Sequence, residues 1–481
     1  MLNDKDTICA IATPPGFGGI GIIRISGLNA VGILWRIFRP KHKEVVDIFQ
    51  SHRLYYGNVV NPDTGEKVDE ALAVLMRGPK TYTREDVAEI NCHGGPAAVK
   101  KALELAVRAG ARLAGPGEFT RRAFLNGRID LTQAEAVMDI ISASTELSLQ
   151  AAVKQLSGGL KQKIDDVRAS LAELLALTEL SIDFPEEEVD YVPAEGLKKN
   201  GVLVREKLGA LLSTYDEGRL LREGLKLAIV GAPNVGKSSL LNLLTKSERA
   251  IVTEIPGTTR DTVEELINLG GVPVRVIDTA GIRESQCPVE REGIKRSMAA
   301  MGEADLILLV LDGSREIEEQ DPLILAEQLK NEDPLSFAEK KGSKENEAKN
   351  RIMVVINKAD LPQKINLKVF GATFFQKGSE VRLSAKTGQG LETLTSRIRE
   401  LILGPGRERA PEAAINLRHK QALEVADEAL IRFVDGCDKN LSPEFLALEL
   451  REALDAVGEV VGRTAPEDVL NLIFSKFCIG K

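Results

Sequence analysis

Gly231-Ala232-Pro233-Asn234-Val235-Gly236-Lys237-Ser238 decides the fold of this chain. It follows the apolar run Lys226 to Val230 and opens a helical segment, Ser239 to Leu244, so it meets G-x-x-x-x-G-K-[ST] in the strand-loop-helix context the motif requires. The two glycines let backbone N–H groups close around phosphates. Lys237 offers a cation to the β- and γ-phosphoryl oxygens, and Ser238 a hydroxyl to Mg²⁺. The expected phosphate contacts are Gly231, Asn234, Val235, Gly236, Lys237, Ser238 and Ser239. Asp278-Thr279-Ala280-Gly281 follows the apolar strand Val272 to Ile277, where a carboxylate can hold the Mg²⁺ shell and an N–H can sense the γ-phosphate. Asn357-Lys358-Ala359-Asp360 ends the run Ile352 to Ile356. A carboxylate there accepts both the N1–H and the exocyclic N–H of guanine, a donor pair adenine lacks, so Asp360 selects GTP. Ser384-Ala385-Lys386 ends the last strand, with the Ala385 N–H available to guanine O6. These motifs, in this order and spacing, predict a GTPase.

Thr258-Thr259-Arg260-Asp261 lies between the P-loop and Asp278, where a switch should close over the γ-phosphate, and Thr259 is the expected second hydroxyl on Mg²⁺. Where small signalling GTPases carry a water-orienting glutamine after Asp-Thr-Ala-Gly, this chain has Ile282, so another group must position the water. The motifs assign no arginine to the developing phosphate charge. Asn234 is a candidate ligand for a monovalent cation doing that work.

Working outward, apolar strands from Leu225 to Leu383 alternate with helical segments, the pattern of a mostly parallel sheet covered on both faces. Upstream, Gly117 to Phe184 contains no proline and is rich in Ala, Leu, Gln and Glu. Ile164, Val167, Leu171, Leu174 and Leu175 share one helical face there. A second helical stretch runs from Gly196 to Arg222, and helical text returns after Leu403-Gly404-Pro405-Gly406. Before all this, short β-branched runs separated by Gly and Pro clusters, with one clear helix from Ala97 to Ala109, read as α+β. The expected organisation is multidomain: an α+β domain over 1–128, a helical bundle domain in two parts, 129–222 and 404–481, and an α/β P-loop GTPase domain over 223–403 inserted between them. The segment 331–350 reads as a surface insertion loop.

At 481 residues, several domains are expected. With 43% hydrophobic and 28% charged residues, wholesale disorder and a membrane bundle are excluded. No apolar run approaches the roughly 18 residues of a spanning helix, and the start lacks an export signal, so a soluble, cytoplasmic protein is expected. Five scattered cysteines make neither a disulfide framework nor a zinc pair. Net charge is −8, against binding nucleic acid through bulk basicity. Residues 1–128 nevertheless carry 18 Lys and Arg against 13 Asp and Glu, so any polyanion contact is expected in the first quarter of the chain.

Some signals are decoys. Gly16-Phe17-Gly18-Gly19-Ile20-Gly21 satisfies G-x-G-x-x-G, but a β-type run, Ile22 to Ser26, follows where the dinucleotide fingerprint needs a helix. Cys92 and His93, adjacent at a strand end, should point to opposite faces and be structural. Five acids within Asp183 to Asp190 read as a solvated loop. Cys478, fourth from the end of the sequence, makes a poor prenylation site with Lys481 last, and a catalytic role stays open.

Asp6-Thr-Ile, Ala12-Thr-Pro-Pro-Gly16, Gly115-Pro-Gly-Glu-Phe-Thr, Arg122-Ala-Phe-Leu-Asn-Gly, Asp183-Phe-Pro-Glu-Glu-Glu and Cys478-Ile-Gly-Lys, together with the GTPase motifs, resemble the tRNA modification GTPase MnmE (TrmE) family over nearly the whole chain. The resemblance implies that 1–128 is a folate-binding domain that dimerises. It also implies a homodimer acting with the FAD protein MnmG, which supplies FAD and NADH chemistry, on the anticodon wobble uridine of certain tRNAs. The product is an aminomethyl or carboxymethylaminomethyl group at C5, with 5,10-methylene- or 5-formyl-tetrahydrofolate as one-carbon donor. It further implies G domains that pair when K⁺ is bound by Asn234, Thr253, Ile255 and Thr258, with Glu290 orienting the attacking water. Folate contacts carry over as Arg24, Glu89, Arg128 and Lys481. A lysine also occurs in the family at the Arg128 position, which keeps the charge but alters the geometry. Cys478 matches a cysteine implicated in the modification chemistry. The competing functions are a ribosome-assembly GTPase switch, for which the terminal tetrapeptide is dispensable, and a folate-dependent aminomethyltransferase on which the G domain is merely regulatory.

Overall fold

The computed structural model describes residues 6–41, 49–183, 194–247, 265–277, 302–316, 352–366, 380–404 and 411–481. The chain divides into two compact units. One comprises Met1–Met138, Leu156–Leu208 and Gln421–Lys481, the other Asp139–Gln155 and Gly209–Lys420.

The first unit begins with a sheet of seven strands: β1 (Ile8–Ile11), β2 (Ile20–Ser26), β3 (Phe38–Pro40), β4 (Arg53–Val60), β5 (Lys67–Met76), β6 (Val87–His93) and β7 (Arg112–Leu113), in the order β3-β4-β5-β6-β2-β1-β7. Pairing is antiparallel except between β1 and β7. Helices α1 (Ala30–Ile37) and α2 (Pro96–Arg108) contribute Ile33, Leu34, Ile37, Val99, Ala102 and Leu105 to a core with Ile23, Ile25, Ala73 and Ile90 of the strands. Alternation along β2 and β6 buries those residues and leaves Arg24 and Glu89, paired across the register, on the opposite face. Cys92 is buried and His93 exposed, as expected of strand neighbours. The glycine-rich decoy runs into β2, a strand, as its sequence required.

Helix α3 (Glu118–Leu125) closes the unit around a buried ionic network. The Arg122 guanidinium meets Asp6 at 2.6 Å, Glu118 at 3.1 Å and Glu85 at 3.2 Å. Arg112 joins Glu118 at 2.7 Å and Asp6 at 2.7 Å. The Gly115 N–H and the Ser26 hydroxyl donate to Glu118 and Glu85. Burial disfavours the Glu118 carboxylate, but Arg112, the Gly115 N–H and Arg122 outweigh it and hold its pKa below the ordinary 4.5.

Helices α4 (Leu131–Ser142), α5 (Glu146–Leu156), α6 (Gly159–Asp183), α7 (Ala194–Leu212) and α8 (Tyr215–Glu223) follow. Along α6 four members of the expected stripe, Ile164, Val167, Leu171 and Leu174, are buried, while Leu175 is only half-buried. The 194–223 text breaks into two helices at Ser213-Thr214.

In the second unit, β8 (Leu225–Val230), α9 (Lys237–Ser247), β9 (Glu265–Leu269), β10 (Val272–Ile277), β11 (Leu306–Asp312), β12 (Ile352–Asn357), β13 (Glu380–Arg382) and α10 (Leu391–Leu403) build a sheet of order β13-β12-β11-β8-β10-β9. It is parallel apart from β9, which the sequence reading did not identify. Its continuous apolar strands are buried on both faces, and Leu147 of α5 and Leu221 of α8 share its core. Helices α11 (Leu417–Asp438), α12 (Pro443–Val460) and α13 (Glu467–Ser475) complete the chain. Among the described residues no helix is long and apolar enough to cross a membrane.

Replacing Arg122 by Met should cost about 3–5 kcal/mol, because three carboxylates lose their shared cation in a buried setting. Urea unfolding of the full chain measures it. The Glu118 contribution is present above its unfolded pKa, near 4.5, and is lost as pH falls below that value. Urea midpoints should therefore drop on acidification, and Glu118→Gln should flatten the drop.

Candidate functional site

The P-loop leaves β8 at the carboxyl end of the parallel sheet, beside β11 and β10, where the crevice of open α/β sheets forms. Asn234 adopts φ +63° and Gly236 φ +99°. A Cβ on Gly236 would lie 2.2 Å from the Asn357 Nδ2, so only glycine fits there. Lys237 begins α9, and its Nζ donates to the Gly231 and Ala232 carbonyls at 2.7 and 2.8 Å. Burial holds the Lys237 pKa below its ordinary value. Ser238 follows in the first helical turn with Ser239 exposed beside it, so the loop N–H groups and the helix N-terminus face the same space.

The base-recognition residues come from β12 and the loop after β13. Asn357 is buried and serves both loops: its Nδ2 donates to the Val235 carbonyl at 2.8 Å, and its Oδ1 accepts from the Ala385 N–H at 2.9 Å. Lys358, at φ +61°, turns its Nζ onto Asp312 at 2.5 Å. Burial opposes ionisation of Asp312, but Lys358 and Ser314 hold its pKa below the ordinary range. Asp360 is exposed and accepts the Ser384 hydroxyl at 2.6 Å, the leading cause of its lowered pKa. Ser384 is itself fully buried, and its Oγ also accepts the Thr387 N–H at 3.2 Å. Lys386 is exposed at the same loop. The structure thus unites the phosphate loop with the Asn357-Asp360 and Ser384-Lys386 motifs. Thr253, Ile255, Thr258, Thr259, Asp278, Thr279, Ala280, Gly281 and Glu290 lie outside the described residues. Sequence reasoning missed Asp312, although an acid ending the apolar run Leu306 to Leu311 marks a strand's carboxyl edge.

A second cluster lies in the first unit. Arg24 Nε donates to Glu89 Oε1 at 2.7 Å, and Arg24 Nη1 to the Gly480 carbonyl at 3.2 Å. Its guanidinium also sits 5.7 Å from the Tyr82 ring and 5.8 Å from Phe119. Arg128 stacks 4.8 Å from the same Tyr82 ring. The segment Cys478–Lys481 docks here. Ile479 bridges to Pro116, the Gly117 N–H donates to the Cys478 carbonyl, and the Phe119 N–H to Lys481 O at 3.2 Å. Gly480 takes φ +97°, and a Cβ there would lie 2.2 Å from the Ile11 carbonyl. Burial, then the nearby Arg24, lower the Lys481 pKa. Cys478 is exposed. Arg24, Glu89, Arg128 and Lys481 therefore meet around Tyr82 and Phe119, two rings the sequence reading did not single out. Three cations beside the half-buried Tyr82 ring suit a flat, anionic ligand, with the fully buried Phe119 packed beneath.

The nucleotide site is that of a P-loop protein built for guanine nucleotides. A family model described as MnmE helical domain matches residues 131–478, and one described as GTP-binding protein TrmE N-terminus matches 7–128. Proteins described as tRNA modification GTPase MnmE are similar over nearly the full length. That of Alkaliphilus oremlandii is 45% identical, covering 99% of both chains. That of Geobacter sulfurreducens is 47% identical, again with 99% of both covered. In Carboxydothermus hydrogenoformans the identity is 46%, over 99% of this chain and 100% of that protein. The chain belongs to the tRNA modification GTPase MnmE family.

Asp360→Asn should weaken GTP binding by on the order of 10- to 100-fold, because one acceptor of the guanine donor pair becomes an amide donor. Competition with ATP reads the lost discrimination, and an undiminished GTP preference would remove Asp360 from base recognition. Gly236→Ala should abolish nucleotide binding by driving a methyl into Asn357, measurable with a fluorescent GTP analogue.

Proposed function

We propose that this protein hydrolyses GTP and, with MnmG, modifies C5 of the wobble uridine in certain tRNAs, adding a carboxymethylaminomethyl or aminomethyl group. The observation that carries the one-carbon half of this reading is the docking of Cys478–Lys481 onto the Arg24 cluster. A tetrahydrofolate derivative has a flat pterin and an anionic glutamate tail. Tyr82 offers a face to the first, Arg24, Arg128 and Lys481 charge to the second, and Glu89 accepts ring N–H groups. Cys478, exposed at the rim, is the candidate nucleophile. A ribosome-assembly switch without modification chemistry gives this docked segment no task.

In the nucleotide site, Lys237 exchanges its loop carbonyls for phosphoryl oxygens, Asp360 and the Ala385 N–H hold the base, and Ser238 with Thr259 supply the hydroxyls for Mg²⁺. When bound, Mg²⁺ and K⁺ supply the positive charge that offsets the transferring phosphoryl group. Asn234, Thr253, Ile255 and Thr258 are the proposed K⁺ ligands and Glu290 the proposed water-orienting group, which gives Ile282 no polar duty. We read the architecture as a G domain, 223–403, inserted between helical parts 129–222 and 404–481, after a folate-binding and dimerising domain, 1–128. The protein is read as a cytoplasmic homodimer that takes FAD and NADH chemistry from its partner.

GTP turnover should be several-fold or more faster in KCl than in NaCl, and Glu290→Ala should remove most of that stimulation while GTP binding stays near normal. Mass spectrometry of wobble nucleosides from a deletion strain tests the whole reading; fully modified uridines there would end it.

A further inference from the structure

The β5-β6 connection, the start of β4 and the turn after α3 bring five cations to one edge of the first unit. Arg53, Arg77, Lys80, Arg84 and Arg128 are all exposed. Their segments are stitched together. The Arg77 N–H donates to the Ser51 hydroxyl at 2.9 Å, and His52 Nε2 meets the Lys80 carbonyl at 3.1 Å. Arg84 Nη1 donates to the Asn126 carbonyl at 2.9 Å, while Asn126 Nδ2 donates to the Thr83 carbonyl at 2.6 Å. Arg128 lies on the Tyr82 ring.

Two acids belong to these segments. Glu85 is drawn inward by Arg122 and Ser26, and Asp86 accepts the Gly78 N–H and stands 3.9 Å from Arg77. None of Arg53, Lys80, Arg84 or Arg128 pairs with a carboxylate among the described residues; Arg53 donates to Gln50. Elsewhere in the unit some exposed cations are matched, as in Arg432 with Glu449 and Glu452 and Arg451 with Glu179, while those unpaired among the described residues, such as Arg108, Lys199 and Lys439, are scattered along the chain. Two non-glycine residues here, His52 and Arg84, hold left-handed backbones at φ +64° and +61°. Such strain persists only where surrounding contacts fix it. In a chain of net charge −8, four guanidiniums and an ammonium on a braced edge form a local anion-binding surface.

We propose that this edge is the surface that grips the phosphate backbone of tRNA, running alongside the Tyr82 cluster so that a base held by the backbone contacts reaches the Arg24 site. The inference rests on the reading that tRNA is the substrate, and it assigns the contacts to Arg53, Arg77, Lys80 and Arg84. Guanidiniums on loops suit phosphate oxygens in bidentate fashion, and the grip is read by shape and charge, leaving base choice to other groups.

Full-length, nucleotide-free protein is titrated with an unmodified tRNA transcript at several NaCl concentrations. The triple variant Arg53→Gln, Lys80→Gln, Arg84→Asn, whose asparagine tolerates the left-handed backbone, should bind at least 10-fold more weakly, with a slope of log K against log [NaCl] shallower by about 2. A control with the same charge change, Arg108→Gln, Lys199→Gln, Lys439→Gln, should bind like the unaltered chain. Urea midpoints verify that both variants fold. Unchanged affinity in the patch variant, equal losses in both variants, or no tRNA binding by the unaltered chain would each overturn the proposal. K⁺-stimulated GTP turnover should persist in the patch variant while wobble modification falls in cells carrying it. Full modification in a deletion strain would instead remove the functional reading, and the binding titration would still decide the surface.

Discussion

One buried amide holds the nucleotide site together. Asn357 reaches from the end of β12 to the carbonyl of Val235 in the phosphate loop and, through its other atom, to the N–H of Ala385 in the base loop. An Asn side chain carries a donor and an acceptor side by side on one short planar amide. Neither partner has a replacement, since the residue is almost wholly removed from water. The separation between phosphate and base recognition is thereby set by one rigid group, and Gly236 is forced to remain a glycine because the same amide fills its Cβ position.

A comparable constraint operates in the first unit at greater electrostatic stake. Arg122 and Arg112 are ringed by Asp6, Glu85 and Glu118, which come from the chain start, the β5-β6 connection and the first turn of α3. Arg122 and Glu118 are buried, and ions held so deep persist only while their partners stay. The network fixes α3, and α3 presents Phe119 and the Gly117 N–H to the docked segment. The signature residues Asp6, Glu118 and Arg122 thus act beneath the Arg24 cluster, as its foundation.

Much of this was legible in the residues. The P-loop, Asn357, Asp360 and Ser384 fell where strand ends put them, because a continuous apolar run followed by a glycine or acid has few other meanings. The strands β4, β5 and β6 were readable from alternation and bounding glycines. What escaped reading was short or nonlocal. The antiparallel β9 has a polar start that disguises it, and α1 lies in text whose apolar pattern fits a strand equally well. The packing of Leu147 and Leu221 against the six-stranded sheet was invisible because an amphipathic stripe announces a buried face without saying which core receives it. Tyr82 was overlooked, and Phe119 was read only as part of a signature segment, for the same reason: a lone ring earns its role from partners far along the chain.

The docked Cys478–Lys481 segment carries a consequence for biogenesis. Phe119 must wait for Lys481, which lies more than 300 residues downstream, before its N–H finds that oxygen. At about 5–20 residues per second of translation, roughly 20 to 70 seconds separate the emergence of the two. During that interval Arg24 has no Gly480 carbonyl to bind, so the Arg24 cluster is completed only by residues synthesised long after its strands.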